Sequence, residues 1–379
     1  MRIALLTDGI YPYVLGGMQK HSFYLAKYLA SNRVHVDLYH TGSKDADTRQ
    51  LKEFSEEELA FITPYYVPFP SISKLPGHYL LESFLYSKKL YEVFESNSCI
   101  DVIYAQGLTG WFFIKEKRRG RVAIPELLVN LHGLNMYQYQ ASLKARMESS
   151  TLKVATDFIL KNADHVISLG GKLTGILRSL KIDKDRIIEQ PVAIEKSWVV
   201  QKIENTHTVR SFVFVGRYDK VKGIELLHEV LNQQKGDKYE FHFIGPFPAA
   251  VHLKQDNIFY HGLIKDENEI KHILQSSDVL VCPSYSEGMP TVILEAMASG
   301  LAVLATDVGA VGLLVQEETG WLIPAGNKAA LSEAFVQAII CDEIVLNSKK
   351  INARNLIKAK YTWEKVITFT LNQFAAIAP

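Results

Sequence analysis

The chain has 379 residues, 47% of them hydrophobic and 22% charged, with a formal net charge of +1. This composition excludes a disordered or collagen-like chain, and the near-zero charge gives no electrostatic case for a nucleic-acid partner. Cys99, Cys282 and Cys341 lie too far apart for a disulfide framework or a metal-ligand spacing, MRIALLTD is too short an apolar start for a secretory signal, and no window is apolar enough to cross a bilayer, so a cytoplasmic setting is expected.

Short apolar runs alternate with segments of helical period, the pattern of parallel sheets covered by helices on both faces. In the first half, strands are expected at 2–7, 34–40, 101–105, 127–132 and 165–169. The loop GIYPYVLGGMQKH follows the first of these. Gly16 and Gly17 let backbone approach a ligand closely there, and the start of the helix expected at 21–30 favours an anion. Residues 61–94 break the alternation with Tyr65, Tyr66, Phe69, Tyr79, Phe84, Tyr86 and Tyr91 beside Lys74, Lys88 and Lys89. That content suits a helix packed on its own domain or an aromatic, basic contact with lipid headgroups at the inner face of a membrane. KEKRRGR, 115–121, closes a helix, where cations oppose the negative end of the dipole. LLVNLHG then places His132 at a strand end, on the same sheet edge as the glycine loop.

Residues 191–208 are polar and aperiodic and are read as a linker. Beyond it, strands are expected at 211–215, 239–244, 258–260, 279–282, 302–305 and 321–323. Two doubly wound, Rossmann-like domains facing across a cleft are therefore expected. Ligands of such sheets bind at the carboxyl edge, where Gly216 and Gly245 end two strands. SFVFVGRYDKVKG sets Arg217 and Lys222 at that edge, two cations suited to a diphosphate and to the charge it gains on leaving. Residues 1–190 carry 24 Lys and Arg against 20 Asp and Glu, and the remainder 18 against 21, so the first half is slightly basic.

The stretch SYSEGMPTVILEAMASG carries Glu287 in a loop and Glu295 in an apolar helix opened by Pro290. Eight residues of helical rise span about 12 Å, comparable with the diphosphate between a ribose and a sugar. Glu295 can then accept from ribose hydroxyls and Glu287 from sugar hydroxyls. The amides of Met289, Thr291 and Val292 would point at the phosphates between.

Taken together, Gly16-Gly17, His132-Gly133, Gly216-Arg217 with Lys222-Gly223, EGMPTVILEAMASG and the closing YTWEKV resemble the retaining glycosyltransferases of family 4, which have the GT-B fold. The resemblance implies an acceptor-binding domain at 1–195, a nucleotide-sugar domain at 196–361, and a last helix at 362–379 crossing back to the first domain. It implies that Arg217 and Lys222 neutralise the donor diphosphate, and that Glu295 holds the ribose. Glu287 and the amides of Gly288, Met289 and Thr291, with Pro290 among them and Val292 beyond, would hold the donor sugar. His132 would lie against that sugar. Gly16 and Gly17 would close on the donor phosphates or the acceptor, and Gly216 would line the donor. It further implies a metal-independent hexosyltransferase without a cofactor, acting on a nucleotide sugar and a glycan or lipid-linked acceptor in polysaccharide or lipopolysaccharide assembly.

Three positions depart from the family pattern: Gln19 where a glutamate is common, Gly245-Pro246-Phe247 where Gly-x-Gly is common, and QPVAI before the linker. A metal-dependent transferase of the other common fold would need Asp-x-Asp at a strand end, but Asp45-Ala46-Asp47 and Asp183-Lys184-Asp185 read as polar turns. Neither G-x-G-x-x-G after the first strand nor a G-x-x-x-x-G-K-[ST] loop is present. A sugar-nucleotide epimerase of the same fold, and an inactive scaffold subunit, are the alternatives.

Overall fold

Two parallel sheets divide the chain. The first contains β1 (Arg2–Leu6), β2 (His35–His40), β3 (Ile62–Tyr66), β4 (Val102–Gln106), β5 (Glu126–Asn130), β6 (His165–Ser168) and β7 (Ile187–Glu189), in the order β3-β2-β1-β4-β5-β6-β7. The second contains β8 (Arg210–Val215), β9 (Tyr239–Ile244), β10 (Ile258–Gly262), β11 (Val279–Cys282), β12 (Ala302–Thr306) and β13 (Gly320–Ile323), in the order β10-β9-β8-β11-β12-β13. This computed structural model describes residues 1–42, 51–72, 78–94, 99–120, 124–140, 143–203, 209–234 and 238–378. Asp45 and Asp47, Lys74, Arg121 and the last part of the expected linker lie outside the described residues.

Helices cover both faces of each sheet, and the central strands read as unbroken apolar runs because both faces are buried. β4 and β12 are buried at every position. Each strand order turns back on itself once, between β1 and β4 in the first sheet and between β8 and β11 in the second. At such a point the connections leave in opposite directions and open a crevice at the carboxyl ends of the strands. The glycine loop follows β1, Gly216-Arg217 follows β8, and Ser284 to Pro290 follows β11, so three of the chemistry-bearing segments sit at these two crevices.

Two strands were not expected. β3 lies inside the aromatic stretch and holds Pro64, which an edge strand tolerates because one of its sides makes no ladder bonds. β7 is three residues long and forms the opposite edge, too short for an apolar run to stand out. The same stretch ends in a helix, His78–Phe94, with Tyr86, Leu90, Tyr91 and Phe94 in the core. Tyr86 also donates to the carbonyl of Thr7 at 2.9 Å, which ties this helix to the end of β1. KEKRRGR ends the helix Trp111–Arg119 on Gly120 in the left-handed conformation.

The helix expected at 21–30 starts earlier, at Gly17, and runs to Ser31. The last helix, Trp363–Ile377, packs on it. Trp363 is fully buried and stacks on Tyr28 with ring centroids 5.5 Å apart. Asp183 caps a short turn by accepting from the amide of Asp185, so the second Asp-x-Asp is a turn. The segment read as a linker is well packed where described. Trp198 is buried, and Ile194 forms a bridge with Thr362, where the chain returns to the first half.

Candidate functional site

The two halves meet through loops that carry little side chain. Gly288 is the clearest case: a Cβ there would stand 2.0 Å from the carbonyl oxygen of His132. Within the second half, Gly309, at φ +54°, comes as close to the carbonyls of Glu287 and Gly288, at 2.2 and 2.4 Å. Gln138 Nε2 donates to the carbonyl of Glu287 at 2.8 Å, Ser286 Oγ to Asn135 Oδ1 at 3.0 Å, and Tyr139 stacks on Tyr285. The Glu287 loop is thus held by the first half as well as by its own.

A cleft of about 570 Å³ opens beside this contact. Gly17, His132, Lys222, Glu287, Gly288, Met289, Pro290, Thr291 and Val292 all line it, so nine of the expected site residues come together. Glu287 is buried, and its Oε1 accepts from Lys222 Nζ at 2.6 Å and from Ser284 Oγ at 2.7 Å. Burial alone would lower the Lys222 pKa, but Glu287 outweighs it and the net shift is upward, so this ammonium is charged at neutral pH.

The helix Thr291–Ala298 starts directly after the loop, with Pro290 at its N-cap position rather than inside the first turn. The amides of Gly288, Met289, Thr291 and Val292 have no partner among the described residues. Four donors without a partner beside a lysine are the chemistry that suits a multiply charged anion.

Four expected residues are not in the lining. Arg217 is exposed and forms no ion pair with another described residue, although its charge is near enough to work against protonation of Lys222. Gly216 precedes it and packs under Gly245, whose Cβ would stand 1.9 Å from the Gly216 carbonyl. Gly16 caps the helix Gly17–Ser31. Glu295 borders a separate small cavity with Lys20, His21 and Trp198; Gly17 and Thr291 line both cavities.

Glu295 does not stand free. Lys20 Nζ lies 3.0 Å from Glu295 Oε1 and 3.0 Å from Glu267 Oε1, and 5.5 Å above the Trp198 ring. Burial opposes the Lys20 charge, but the two carboxylates outweigh it and push its pKa up. Lys20 went unmarked in the sequence. Its position one turn after Gly16-Gly17 was the available signal, since it turns the same helix face toward the second half.

His132 has a left-handed backbone, φ +56°, and its amide donates to Asn130 Oδ1 at 2.9 Å. Its ring hydrogen-bonds Gln106 and meets His21 edge-to-face at 4.7 Å. Burial, with His21 adding to it, holds its pKa well below the ordinary value, and burial lowers His21 to about 3. Both imidazoles are neutral. Among the described residues no group of three His, Cys, Asp or Glu side chains is placed to hold a metal ion.

Comparison with known proteins agrees with this layout. Residues 15–195 match the model of Glycosyltransferase Family 4, and residues 209–340 match Glycosyl transferases group 1. Over 128 residues the chain is 37% identical to a protein of Bacillus subtilis named for glycosyl transfer in teichuronic acid biosynthesis, a match spanning 34% of this chain and 32% of that one. Over 376 residues it is 25% identical to an uncharacterized glycosyltransferase of Methanocaldococcus jannaschii, spanning 96% and 95% of the two chains. Among solved structures, sucrose-phosphate synthase from Thermosynechococcus elongatus superimposes with a TM-score of 0.80 over 99% of both chains at 22% identity. Since the matched segments take in most of both sheets and supply both walls of the cleft, the chain belongs to the group 1, family 4 glycosyltransferases and has their GT-B fold.

Proposed function

We propose that this protein transfers a hexose from a UDP- or GDP-linked sugar to a glycan or glycolipid acceptor, with retention at the anomeric carbon, in assembly of a cell-surface polysaccharide or lipopolysaccharide. The observation that carries this reading is the Lys222–Glu287 pair, which stands in the cleft beside unpartnered amides at the start of the helix Thr291–Ala298. A diphosphate takes the amides and Lys222, and Arg217 approaches it from the exposed rim. Glu287, released from Lys222, accepts from the sugar hydroxyls, and Glu295 accepts from the ribose.

In the transfer step the bond from C1 to the diphosphate oxygen breaks, and its electron pair leaves with the diphosphate. The acceptor oxygen bonds to C1 on the same face. Its proton passes to the departing phosphate oxygen, so no side chain is required as the base. Lys222 and Arg217 stabilise the charge that grows on the leaving group, which is the role a metal has in other transferases. The polysaccharide setting is supported by the name of the Bacillus relative.

Acceptor access from a membrane face is part of the same proposal. Ile72, Tyr79 and Leu81 are 51%, 49% and 53% exposed within the 61–94 segment, which also carries the exposed Lys88 and Lys89.

The test is incubation of the purified protein with a panel of UDP- and GDP-sugars, with and without a chelator. Slow release of nucleoside diphosphate that survives chelation, and an acceptor product whose anomeric configuration by NMR matches the donor, are the expected results. An epimerised sugar nucleotide, or neither binding nor turnover of any donor, overturns the reading.

A further inference from the structure

Gln106, the last residue of β4, is fully buried, and its side-chain amide stands between two imidazoles. Nε2 donates to His21 Nδ1 at 3.1 Å, and Oε1 is hydrogen-bonded to His132 Nε2. The neighbouring backbone is tied down: Thr109 Oγ1 donates to the Gln106 carbonyl at 2.8 Å, and the Gly107 amide to the Asn130 carbonyl at 2.8 Å. Asn130 also accepts from the His132 amide through its side chain, so the amide and the ring it faces share one framework.

A primary amide has one end that only accepts and one that donates. Its oxygen requires a hydrogen on the ring nitrogen it faces, so His132 carries its proton on Nε2. A neutral imidazole has one N–H, which leaves Nδ1 with its lone pair. That nitrogen has no partner among the described residues and is not sealed from solvent, and His132 lines the cleft. The other end of the amide requires an acceptor, so His21 has a bare Nδ1 and its proton on Nε2.

We infer that Gln106 is a positioning residue: it fixes His132 as the Nε2–H tautomer, so that Nδ1 presents a lone pair to a hydroxyl of the sugar in the cleft. The inference rests on the transferase reading of that cleft. The direction of this hydrogen bond matters to the reaction. A hydroxyl that donates to nitrogen gains electron density, which favours a sugar ring becoming positive as the leaving group departs. The opposite tautomer would present an N–H and withdraw density from the same hydroxyl.

The deciding experiment is long-range proton–nitrogen NMR of protein labelled with 15N-histidine, without ligand, with His132→Gln used to assign the signals. In the wild type both His132 and His21 are expected as Nε2–H tautomers. Gln106→Leu removes both ends of the amide, and His132 is expected to average between tautomers. Gln106→Glu keeps an acceptor for His132, which is expected to remain Nε2–H, while His21 must gain a proton on Nδ1. Because the leucine variant leaves two buried nitrogens without partners and is expected to lose stability, the wild-type and glutamate spectra are read independently of it. An Nδ1–H tautomer of His132 in the wild type, its loss in Gln106→Glu, or an unaltered tautomer in folded Gln106→Leu overturns the inference. None of these readings involves donor turnover, so they stand apart from the test of transfer.

Discussion

Arg217 and Lys222 were paired by their positions after one strand, yet the structure gives them different surroundings. Lys222 is bonded to Glu287, whereas Arg217 is exposed and unengaged among the described residues. An arginine that pairs with no described residue is available to the diphosphate without first breaking such a pair. Arg217→Ala is therefore expected to lower kcat about a hundredfold, the cost of removing one charge-stabilising group, with little loss of thermal stability. Steady-state kinetics and a melting curve measure the two together, and near-wild-type turnover removes Arg217 from the proposed chemistry. Glu295→Ala is expected to act mainly on donor affinity, read by titration calorimetry; unchanged affinity would reassign the ribose contact.

The buried histidines make a different prediction. His21 is lowered by burial to about 3, and His40, also by burial, to about 4, with the Thr41 backbone working against the shift. The unfolded chain protonates these groups near the ordinary value of about 6.5, while the folded chain resists. Their stability contribution is thus complete above that value and declines as pH falls toward the folded-state values, by up to about 1.4 kcal/mol per pH unit for each group. A melting temperature that falls between pH 7 and pH 5, less steeply in His40→Phe, is the expected outcome. A slope unaffected by that substitution would assign the loss to other groups.

Among the elements, the loop between β11 and the helix Thr291–Ala298 depends most on close backbone approach. Gly288→Ala would push a methyl group into the His132 carbonyl, which is backbone and cannot swing aside. Overpacking of this kind costs about 1–3 kcal/mol. A lower melting temperature with weaker donor binding is expected, whereas Gly17→Ala, where a Cβ meets nothing within 4 Å, should leave stability nearly unaltered. Equal melting temperatures for the two variants would refute the close-contact argument. This contrast could not be read from GGMQKH and EGMPT, because a glycine required for contact and one facing open space look alike in sequence. The strands were more legible. β9 and β11 have the expected bounds because their apolar runs are bordered by turn residues. The edges β3 and β7 were missed because one carries a proline and the other has too few residues to show a pattern.

For the molecule as a whole, Lys20 is an ionic tie between the halves at the Glu295 side. It is bonded to Glu267 and Glu295, both distant in the chain and both in the second half. Replacing it with methionine leaves two carboxylates facing each other. Lys20→Met is expected to open the cleft, seen as a larger radius of gyration by X-ray scattering without donor; an unaltered radius would show that packing around Gly288 and Trp198 suffices. Membrane contact also belongs at this level. Co-sedimentation with anionic liposomes at low salt, weakened by Lys88→Ala with Lys89→Ala, is expected, since surface attraction of this type is screened by salt. Failure to sediment at low salt removes the membrane from the proposal.

Much of the architecture follows from local chemistry. Apolar runs of strand length between helical segments specify parallel sheets, glycines mark the turns at their carboxyl edges, and a loop glutamate followed by an apolar helix with a second glutamate marks the cleft. Such features depend on neighbours a few residues away, so periodicity and turn chemistry reveal them. The pairings in and beside the cleft do not. Lys222 meets Glu287 across 65 residues, Gln106 meets His21 across 85, and Lys20 meets Glu295 across 275. Each depends on which strands turn back in the two sheets and on how one sheet packs against the other. Two glutamates that look equivalent in SYSEGMPTVILEAMASG thereby acquire different partners, Lys222 from their own half and Lys20 from the opposite one.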